Sequence, residues 1–426
     1  MMARPDRLKV ALLADDFNPE WPSLPIVGFK YATALADHAD VTVFTQIRNK
    51  ENLEKLGSLG FRIVYINTEY IAAPIQKLAV RLRGGTELGW TTQMASNYLP
   101  YLEFERLALL HIKRSENQFD VVHRITPMSP TLPSYASGRT GTPFIIGPLN
   151  GNLAWPREFF AEQKREREIL NKVKGIYKVL PFWRSTFRKA SAILAAFPHT
   201  ISSVRNANSG KIFDVPEIGY DPTIFYASSR KRGERLTFLY VGRLVPYKLP
   251  ELAILAFAER PELHMHRLRI VGSGPDRGRL EQLATEHGLD DCVEFVGSLS
   301  QREVADEMRK ADVFFFPSIR ELGAGVVVEA MACGLACLVT DYGAPGALVN
   351  ESRGRKVRIA DRKTMVRGFA EAAAQLARDR AALDQMSEES ASYAQRTFTW
   401  DKKAAATIPI YEWVLKRRRQ KPEFVY

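Results

Sequence analysis

The sequence predicts an α/β protein with two doubly wound, parallel-sheet (Rossmann-like) domains that face each other across a cleft. Two observations predict this fold. Short runs of β-branched and aliphatic residues alternate with longer helical patterns along most of the chain, which is the rhythm of βαβ units. The chain also has 426 residues, more than a single hydrophobic core usually serves, so two domains of roughly 200 residues each are expected.

The first domain is predicted to cover residues 1–200. Its apolar runs are short and nearly continuous, which is typical of parallel strands that are buried on both faces. The predicted strands are Leu8 to Ala14, Val41 to Thr45, Phe61 to Ile66, Val121 to His123, Phe144 to Gly147 and Ala192 to Ala196. A helical pattern near Gly28 to His38 connects the first two of them.

The same rhythm starts again further along the chain, so residues 201–235 are predicted to be a linker and residues 236–397 a second domain. Turn-forming residues in Pro216 to Pro222 support the linker. The predicted strands of the second domain are Thr237 to Val241, Arg267 to Val271, Val293 to Val296, Val313 to Phe316 and Ala336 to Thr340. Residues 398–426 carry an apolar helical pattern that a free tail would not need, and we expect this helix to cross back to the first domain.

Charge and cysteine content limit the setting and the partners. The net charge of +12 and the pI near 9.5 indicate an acidic partner: nucleic acid, anionic lipid or a phosphorylated substrate. The three cysteines are too few for a disulfide framework or a zinc site, which favours the reducing cytoplasm. We find no apolar run long enough for a signal peptide or a membrane span, so any membrane association is expected to be peripheral, on the inner face.

Two cations follow the first predicted strand of the second domain. This strand runs into Gly242, and Arg243 and Lys248 come directly after it. A glycine at the end of a strand allows a sharp turn, and two cations five residues apart can then converge on one anion. A diphosphate leaving group needs such neutralisation because negative charge builds on it as its bond breaks. Two solvated basic residues in a loop are the alternative interpretation.

Two glutamates flank a glycine-rich turn further along the chain. Glu321 lies in the loop after the strand Val313 to Phe316, and Glu329 lies in the first turns of a helix that begins near Val326. The backbone N–H groups of Gly325 and Val326 at this helix start can hold a phosphate. Carboxylates suit the hydroxyls of a sugar. For Glu329 alone, the alternative is a carboxylate favoured by the helix dipole.

These segments resemble the signature of glycosyltransferase family 4, whose members have the GT-B fold. The resemblance implies that Arg243 and Lys248 grip the phosphates of a nucleotide-sugar donor. It also implies that Glu321 contacts the transferred sugar and Glu329 the donor ribose. Glycine turns around Gly272 and Gly297, with Leu299, are similar to the strand ends that the family places beside the nucleotide base.

The resemblance extends to the first domain. His123 follows a predicted strand and is similar to a histidine that the family places beside the transferred sugar; a histidine bound by nearby backbone is the alternative. Where the family often has a Gly-Gly loop, this chain keeps only Gly28, which indicates a longer loop that shapes the acceptor site. Asn150, after another strand, is a second candidate for an acceptor loop. Ala324 stands where a glycine is common.

No cofactor and no metal are expected. The adjacent aspartates Asp15 and Asp16, and Asp290 and Asp291, lack the Asp-x-Asp spacing that clamps a metal diphosphate, so cations and helix-start N–H groups would do this work. Segment 155–189 interleaves Lys and Arg with apolar residues, as does a segment that lies on anionic lipid. A solvated helical insertion explains the same composition.

The expected function is therefore transfer of a sugar, with retention of configuration, from a nucleotide sugar to a glycan or lipid-linked acceptor at the cytoplasmic face, in polysaccharide biosynthesis. An epimerase-like enzyme of the same fold would need further acid and base carboxylates, which we do not identify. A protein that binds a nucleotide sugar without catalysis is the third hypothesis. A nucleic-acid partner is not expected, because we find no basic and aromatic motif of that kind.

Overall fold

The structure is a computed structural model that describes residues 7–21, 23–83, 97–115, 118–165, 176–204, 209–229 and 232–424. It divides into two compact units. The first unit comprises Met1–Asn152, Arg167–Glu217 and Trp400–Val425, and the second comprises Leu153–Glu166 and Ile218–Thr399. Each unit is built around its own parallel sheet.

The first unit contains a seven-stranded parallel sheet with the strand order β3-β2-β1-β4-β5-β6-β7. Every strand pair in it is parallel. Its strands are β1 (Lys9–Ala14), β2 (Asp40–Gln46), β3 (Arg62–Ile66), β4 (Val121–Thr126), β5 (Phe144–Leu149), β6 (Ala192–Ala195) and β7 (Ile212–Asp214).

The second unit contains a six-stranded parallel sheet with the strand order β10-β9-β8-β11-β12-β13. All of its strand pairs are again parallel. Its strands are β8 (Thr237–Val241), β9 (Arg267–Val271), β10 (Val293–Gly297), β11 (Val313–Phe316), β12 (Ala336–Thr340) and β13 (Gly354–Val357).

Helices connect the strands of both sheets. In chain order they are α1 (Leu24–Ala36), α2 (Lys50–Glu54), α3 (Glu69–Arg83), α4 (Tyr98–Arg114), α5 (Phe160–Arg165), α6 (Trp183–Lys189), α7 (Phe197–Val204), α8 (Glu251–Glu259), α9 (Arg277–Glu286), α10 (Gln301–Lys310), α11 (Gly325–Ala332), α12 (Gly343–Leu348), α13 (Arg362–Arg378), α14 (Arg380–Thr397) and α15 (Trp400–Val414). Crossover helices of this kind are what parallel pairing requires, since a tight hairpin cannot join parallel strands.

The strands of the first unit are buried on both faces, as β1 illustrates. Val10 and Leu12 belong to an apolar cluster that includes residues of α1 and α15, while Ala11 and Leu13 belong to a second cluster that includes residues of α4. Each fully buried aliphatic side chain contributes about 1.5–3 kcal/mol relative to exposure. The prediction of doubly wound parallel sheets is therefore confirmed.

Each sheet reverses its strand order at one place. In the first sheet this switch point lies between β1 and β4, and in the second between β8 and β11. Loops that leave neighbouring strands in opposite directions at a switch point open a crevice at the carboxyl ends of those strands, and ligands of open α/β sheets bind there. The strand order therefore indicates two candidate ligand-binding places: the loops after β1 and β4, and the loops after β8 and β11.

The C-terminal helix packs on the first sheet, as the fold prediction proposed. Tyr411 and Ile410 of α15 are buried in the cluster that holds Val10 and Leu12. Trp413 packs edge-on against Phe213 of β7, with the ring centroids 5.3 Å apart. Helix α15 therefore completes the core of the first unit although it comes last in the chain.

The units divide the chain differently from the predicted domain limits in two places. Residues 212–214, inside the predicted linker 201–235, form the edge strand β7, and the first unit extends to Glu217. Leu153–Glu166, inside the predicted first domain 1–200, belongs to the second unit. The chain returns to the first unit at Trp400, close to the predicted limit at residue 398.

Candidate functional site

The loop after β8 begins with a close approach between three strand ends. The N–H of Gly242 donates to the carbonyl of Val271 at 3.0 Å, and the N–H of Gly272 donates to the carbonyl of Gly297 at 2.7 Å. Gly272 has φ +133°, and a Cβ there would come within 2.0 Å of the Gly242 carbonyl oxygen. Only glycine fits this position, so the loops after β8, β9 and β10 lie directly against one another.

Lys248 and Glu321 are brought together at the switch point of the second sheet. Lys248 Nζ lies 2.7 Å from Glu321 Oε1, and the same oxygen accepts a hydrogen bond from the Ser318 hydroxyl at 2.8 Å. The ammonium group also lies 4.9 Å from the centre of the Phe316 ring. Both side chains of the pair are only 12% and 15% exposed, so their charges are weakly screened and their geometry is fixed.

Arg243 is held beside this pair by an aromatic residue. Its guanidinium donates to the Tyr247 hydroxyl at 2.7 Å and lies 5.9 Å from the centre of that ring. Tyr240, fully buried in β8, donates from its hydroxyl to the Arg243 carbonyl at 3.1 Å. Arg243 itself is exposed. The loop thus presents one half-buried cation in an ion pair and one exposed cation within a few residues.

The glycine-rich turn ends in the first residues of α11. Gly325 and Val326 open this helix, and Ala324 caps it in the left-handed conformation, with φ +55°. The amide nitrogen of Gln301 lies 3.5 Å from Glu329 Oε1, which connects α11 to the helix that follows β10. The helix-start N–H groups and Glu329 therefore lie on the carboxyl side of the same sheet as Lys248.

The predicted base region lies at the ends of β9 and β10. Gly297 ends β10 with φ +87°. The hydroxyls of Ser273 and Ser298, which follow these two strands, are 2.7 Å apart. Leu299, half-buried, directly precedes Ser300, the N-cap of α10. The structure thus groups the residues predicted to hold a donor along one edge of one sheet.

His123 is sealed inside the first unit. Its side chain is fully buried, Nδ1 lies 2.7 Å from the Tyr411 hydroxyl and Nε2 lies 2.7 Å from the Gly147 carbonyl oxygen. Burial lowers the pKa of His123 to about 4, so the ring is neutral at pH 7. Both nitrogens are engaged, which corrects the predicted contact with a sugar: this histidine ties β4 to β5 and α15.

The reason for this correction is the length of β4. The sequence predicted a strand that ends at His123, which would release this side chain at the sheet edge. The strand instead continues to Thr126, and His123 pairs with Leu12 inside the sheet. Its neighbours Val121 and Ile125 on the same face belong to the buried cluster below α1 and α15.

The switch point of the first sheet carries a compact acidic cluster. Asp15, after β1, accepts hydrogen bonds from the Gln46 side chain at 2.7 Å and from Arg48 at 3.1 Å. Burial and the neighbouring Asp15 raise the pKa of Asp16 to about 6, although Arg48 opposes this. Gly28, predicted to shape an acceptor site, lies in α1 beside this cluster: a Cβ on it would be 3.0 Å from the Asp16 carbonyl oxygen.

Asn150, the other predicted acceptor residue, belongs to a buried polar cluster. Its side-chain amide donates to Glu217. Burial raises the pKa of Glu217 to about 7 and lowers that of Lys403 to about 7, while each charge opposes the shift of the other. Neither Glu217 Oε2 nor Lys403 Nζ has a hydrogen-bond partner in the described part of the chain. Asn150 thus supports the interior of the first unit.

The basic segment 155–189 is described only at its two ends, because residues 166–175 lie outside the described residues. Lys178 precedes Val179, whose side chain is 75% exposed. No helix in the described ranges is both long enough and apolar enough to cross a membrane. No group of three or more His, Cys, Asp or Glu residues that could hold a metal ion occurs in those ranges either.

The second unit matches a known family. The family model described as "Glycosyl transferases group 1" matches residues 223–393. These residues form a glycosyl transferases group 1 domain. The domain contains all the predicted donor-site residues: Arg243, Lys248, Gly272, Gly297, Leu299, Glu321, Gly325, Val326 and Glu329.

A relative in sequence and two solved structures extend the comparison. The D-inositol 3-phosphate glycosyltransferase of Streptomyces avermitilis is 30% identical over 200 residues, which are 43% of this chain and 41% of the relative. The alignment thus spans about two fifths of that relative's length. A sucrose-phosphate synthase from Thermosynechococcus elongatus has a TM-score of 0.66 at 19% identity, over 97% of this chain and all of the other.

Anabaena Alr3699/HepE, solved in complex with UDP-glucose, has a TM-score of 0.57 at 17% identity, over 94% of this chain and 99% of its own. At such identities the likeness shows the fold alone. It covers both units, so the predicted GT-B fold is confirmed. The group 1 domain is thus the second of the two α/β units of a GT-B protein.

Sequence reasoning missed the residues that hold the group 1 site in place. Tyr247 lies between the two cations in the chain, and its hydroxyl accepts the hydrogen bond from Arg243. Its position in this turn is the signal that could have found it. Ser318, three residues before Glu321, follows the end of β11 and could have been found by that position. Arg320 carries no local signal, since its contacts are to residues far away in the chain.

Proposed function

We propose that the protein is a glycosyltransferase that moves a sugar from a nucleotide-sugar donor to a hydroxyl of an acceptor. The observation that carries this proposal is the Lys248–Glu321 pair, 2.7 Å apart at the switch point of the second sheet. A cation for the donor phosphates thus lies directly beside a carboxylate for the sugar. The UDP-glucose complex of Anabaena HepE, which shares the fold, supports a nucleotide sugar as the donor class.

In this proposal the cations and the helix-start N–H groups act on the diphosphate, and the carboxylates bind the sugar and the ribose. The bond between the sugar carbon and the phosphate oxygen breaks, and negative charge builds on the diphosphate. Arg243, Lys248 and the N–H groups of Gly325 and Val326 stabilise this charge. Glu321 binds hydroxyls of the sugar and fixes its orientation. Glu329 holds the ribose.

We further propose retention of configuration without a metal ion. The acceptor oxygen bonds to the sugar carbon on the face that the phosphate leaves, and its proton passes to the leaving phosphate oxygen. This arrangement requires no carboxylate base on the opposite face. Two cations and a helix start supply the positive potential that a divalent ion supplies elsewhere.

The acceptor is proposed to be a glycan or lipid-linked intermediate of polysaccharide biosynthesis at the cytoplasmic face of a membrane. The C-terminal part of segment 155–189 supports a peripheral contact with anionic lipid, since exposed Val179 lies next to Lys178 there. Sedimentation with anionic and with neutral liposomes tests this contact. Charge reversal at Lys172, Lys174 and Lys178 should abolish binding to anionic liposomes, and unchanged binding would remove the membrane from the proposal.

A screen of nucleotide sugars by thermal unfolding tests the donor. One donor should raise the unfolding temperature of the wild type by binding only the folded chain. Lys248→Ala should lose this shift, while Lys310→Ala, which removes an exposed lysine of the same unit, should keep it. No shift with any nucleotide sugar would overturn the proposal. Binding without transfer or hydrolysis would leave a non-catalytic binder, and conversion of the bound donor without an acceptor would indicate an epimerase-like enzyme.

A further inference from the structure

A segment from outside the group 1 domain packs beside the proposed donor site. Leu153–Glu166 belongs to the second unit, although it precedes the matched residues 223–393 by more than fifty positions in the chain. We call Leu153–Glu166 the strap. We propose that the strap positions the loop that carries Glu321, so that Leu153, Ala154 and Trp155 set how the transferred sugar is held. This inference rests on the proposed function and adds positioning residues to it.

The strap holds the residue directly before Glu321. The Arg320 guanidinium donates to the Leu153 carbonyl at 3.2 Å and lies over the Trp155 ring, 5.0 Å from its centre. Trp155 is 8% exposed, so this cation–π contact is largely desolvated and contributes more than an exposed one would. Arg320 is thereby fixed at two points on the strap.

The strap also holds the loop that faces Glu321 from the other side. The Tyr342 hydroxyl donates to the Ala154 carbonyl at 2.8 Å. Two residues later, the N–H of Ala344 donates to the Glu321 carbonyl at 3.1 Å. The Leu153 side chain lies against Gly343 between them, where a Cβ would meet it at 2.9 Å and the Glu321 carbonyl oxygen at 2.5 Å. Glu321 is thus bracketed by two loops that both contact the strap.

The helical end of the strap is anchored by ion pairs. Helix α5 packs against Pro246–Lys248. Glu162 of α5 accepts a hydrogen bond from Arg362, which also pairs with Glu251. Arg165 lies 2.8 Å from Asp276. The three carboxylates are 11%, 5% and 6% exposed, so these pairs are better shielded from solvent than ordinary surface pairs.

The contacts of Leu153, Ala154 and Trp155 act on the sugar side of the site, whereas the helical end of the strap packs against the phosphate-side turn Pro246–Lys248. Arg320 and Tyr342 contact the loops around Glu321, and neither is hydrogen-bonded to Arg243 or Lys248 in the described part of the chain. Misplacing a positioning group by about 1 Å can cost on the order of 100-fold in rate. Loosening the contacts of Trp155 and Ala154 alone should therefore weaken binding of a nucleotide sugar and leave binding of the free nucleoside diphosphate unchanged.

Three variants and a control test this inference in the full-length chain. Trp155→Ala removes the ring below Arg320, Trp155→Phe keeps an aromatic ring there, and Tyr342→Phe removes one oxygen atom. Phe160→Ala is the matched control, because Phe160 is an aromatic residue of the same strap with 56% exposure. The probes are the donor that the thermal screen selects, starting with UDP-glucose, and its free nucleoside diphosphate.

Trp155→Ala should raise the KM for the nucleotide sugar roughly 10-fold and lower kcat, with the Kd of the nucleoside diphosphate changed less than about 2-fold. Tyr342→Phe should give about a 3-fold loss on the same side. Trp155→Phe should recover most of the loss, and Phe160→Ala should match the wild type.

An equal change for nucleotide sugar and nucleoside diphosphate would overturn the inference, since it would show a general loss of structure. Unchanged constants in Trp155→Ala and Tyr342→Phe would overturn it as well. If Trp155→Ala does not fold, Tyr342→Phe decides alone. A wild type that binds no nucleotide sugar is a separate result, because it removes the proposed function itself.

Discussion

The polar residues that the sequence singled out have different surroundings in the two sheets. At the second sheet, Lys248 and Glu321 are partly exposed and bonded to each other. In the first sheet, His123 is fully buried and bonded on both sides within its unit. A charged pair kept at a sheet edge retains groups that a ligand can recruit. A neutral side chain sealed between strands and a helix contributes to stability instead.

The switch points show the same contrast in charge. The second sheet presents two cations and a helix start, which suits an anion. The first presents Asp15 and Asp16 with Arg48 between them and Glu69, which suits hydroxyl groups. The two switch points of this chain therefore differ in charge, because carboxylates outnumber cations at the first but not at the second. This difference can be tested residue by residue.

The largest effect is expected at Glu321. Glu321→Gln keeps the size of the side chain but removes the charge that pairs with Lys248 and binds the sugar. We expect kcat/KM for transfer to fall by about 100- to 1000-fold, the range found when one catalytic hydrogen-bonding group is removed. Steady-state kinetics at saturating acceptor measure this.

Binding of the nucleoside diphosphate to Glu321→Gln should persist, because Arg243 and Lys248 remain. Calorimetric titration with the free diphosphate is the control. If Glu321→Gln transfers sugar at close to the wild-type rate, the Lys248–Glu321 pair has no role in transfer, and the contrast with the structural role of His123 is lost.

The second effect concerns stability. His123→Ala leaves the Tyr411 hydroxyl and the Gly147 carbonyl without this partner and opens a cavity, so we expect a loss of about 2–4 kcal/mol in the free energy of unfolding. The kcat/KM of the folded fraction should stay within about 3-fold of the wild type. Denaturant unfolding and kinetics on the same preparation measure both.

Tyr411→Phe provides the matched control for this prediction, because it removes the same hydrogen bond without a cavity and should cost only about 1 kcal/mol. Since the pKa of His123 is lowered to about 4, its contribution to stability is present above the ordinary value of 6.5 and is lost as the pH falls towards 4. A large loss of activity in a well-folded His123→Ala protein would restore the sugar contact that the sequence predicted.

The sequence predicted the sheets better than the ends of their strands. Thr237–Val241, Val313–Phe316 and Ala336–Thr340 were predicted with their observed limits, because buried parallel strands are nearly continuous apolar runs. The strands β7 and β13 were missed. Both lie at a sheet edge, are short and contain polar residues, so their sequences do not differ from those of loops.

The sequence identifies candidate site residues where the expected chemistry needs particular residue types in one loop. Arg243 and Lys248, or Glu321 and Glu329, are close together in the chain. The strap could not be predicted, because its contacts to Arg320 and Tyr342 use backbone carbonyls of Leu153 and Ala154. A carbonyl leaves no trace in the residue type, and a separation of about 170 positions leaves no local pattern.

A third, smaller effect depends on pH and lies in the first unit. Glu217 has its pKa raised to about 7, so its contribution to stability is present below the ordinary value of 4.5 and is lost as the pH rises to 7. Lys403 has its pKa lowered to about 7, so its contribution is present above 10.5 and is lost as the pH falls to 7. Both contributions are therefore weakest near pH 7.

The double variant Glu217→Gln, Lys403→Met should accordingly be most stable relative to the wild type near pH 7, and less stable relative to it at lower and at higher pH. Unfolding temperatures between pH 5 and pH 9 measure this. Replacing the exposed pair Glu51 and Lys55 in the same way should shift stability evenly across the range. If the difference in unfolding temperature between the buried-pair variant and the wild type also stays constant with pH, burial does not govern the protonation of Glu217 and Lys403.

The smallest effect is expected at Ala324, the residue before the helix start of the second sheet's site. Its φ of +55° costs an L-residue about 1–2 kcal/mol, and Ala324→Gly removes this strain while adding freedom to the unfolded chain, which opposes part of the gain. We expect the free energy of unfolding to rise by up to about 1 kcal/mol, measured by thermal unfolding. The kcat/KM should stay within about 3-fold of the wild type, since the N–H groups of Gly325 and Val326 remain.

Leu249 is the control. It shares the left-handed conformation, with φ +46°, but is fully buried, so Leu249→Gly should lose more stability in packing than it gains from relief of backbone strain. If Ala324→Gly is instead less stable than the wild type, the Ala324 methyl group itself packs in this loop. The loop would then be as tightly packed as the surroundings of His123 in the first sheet.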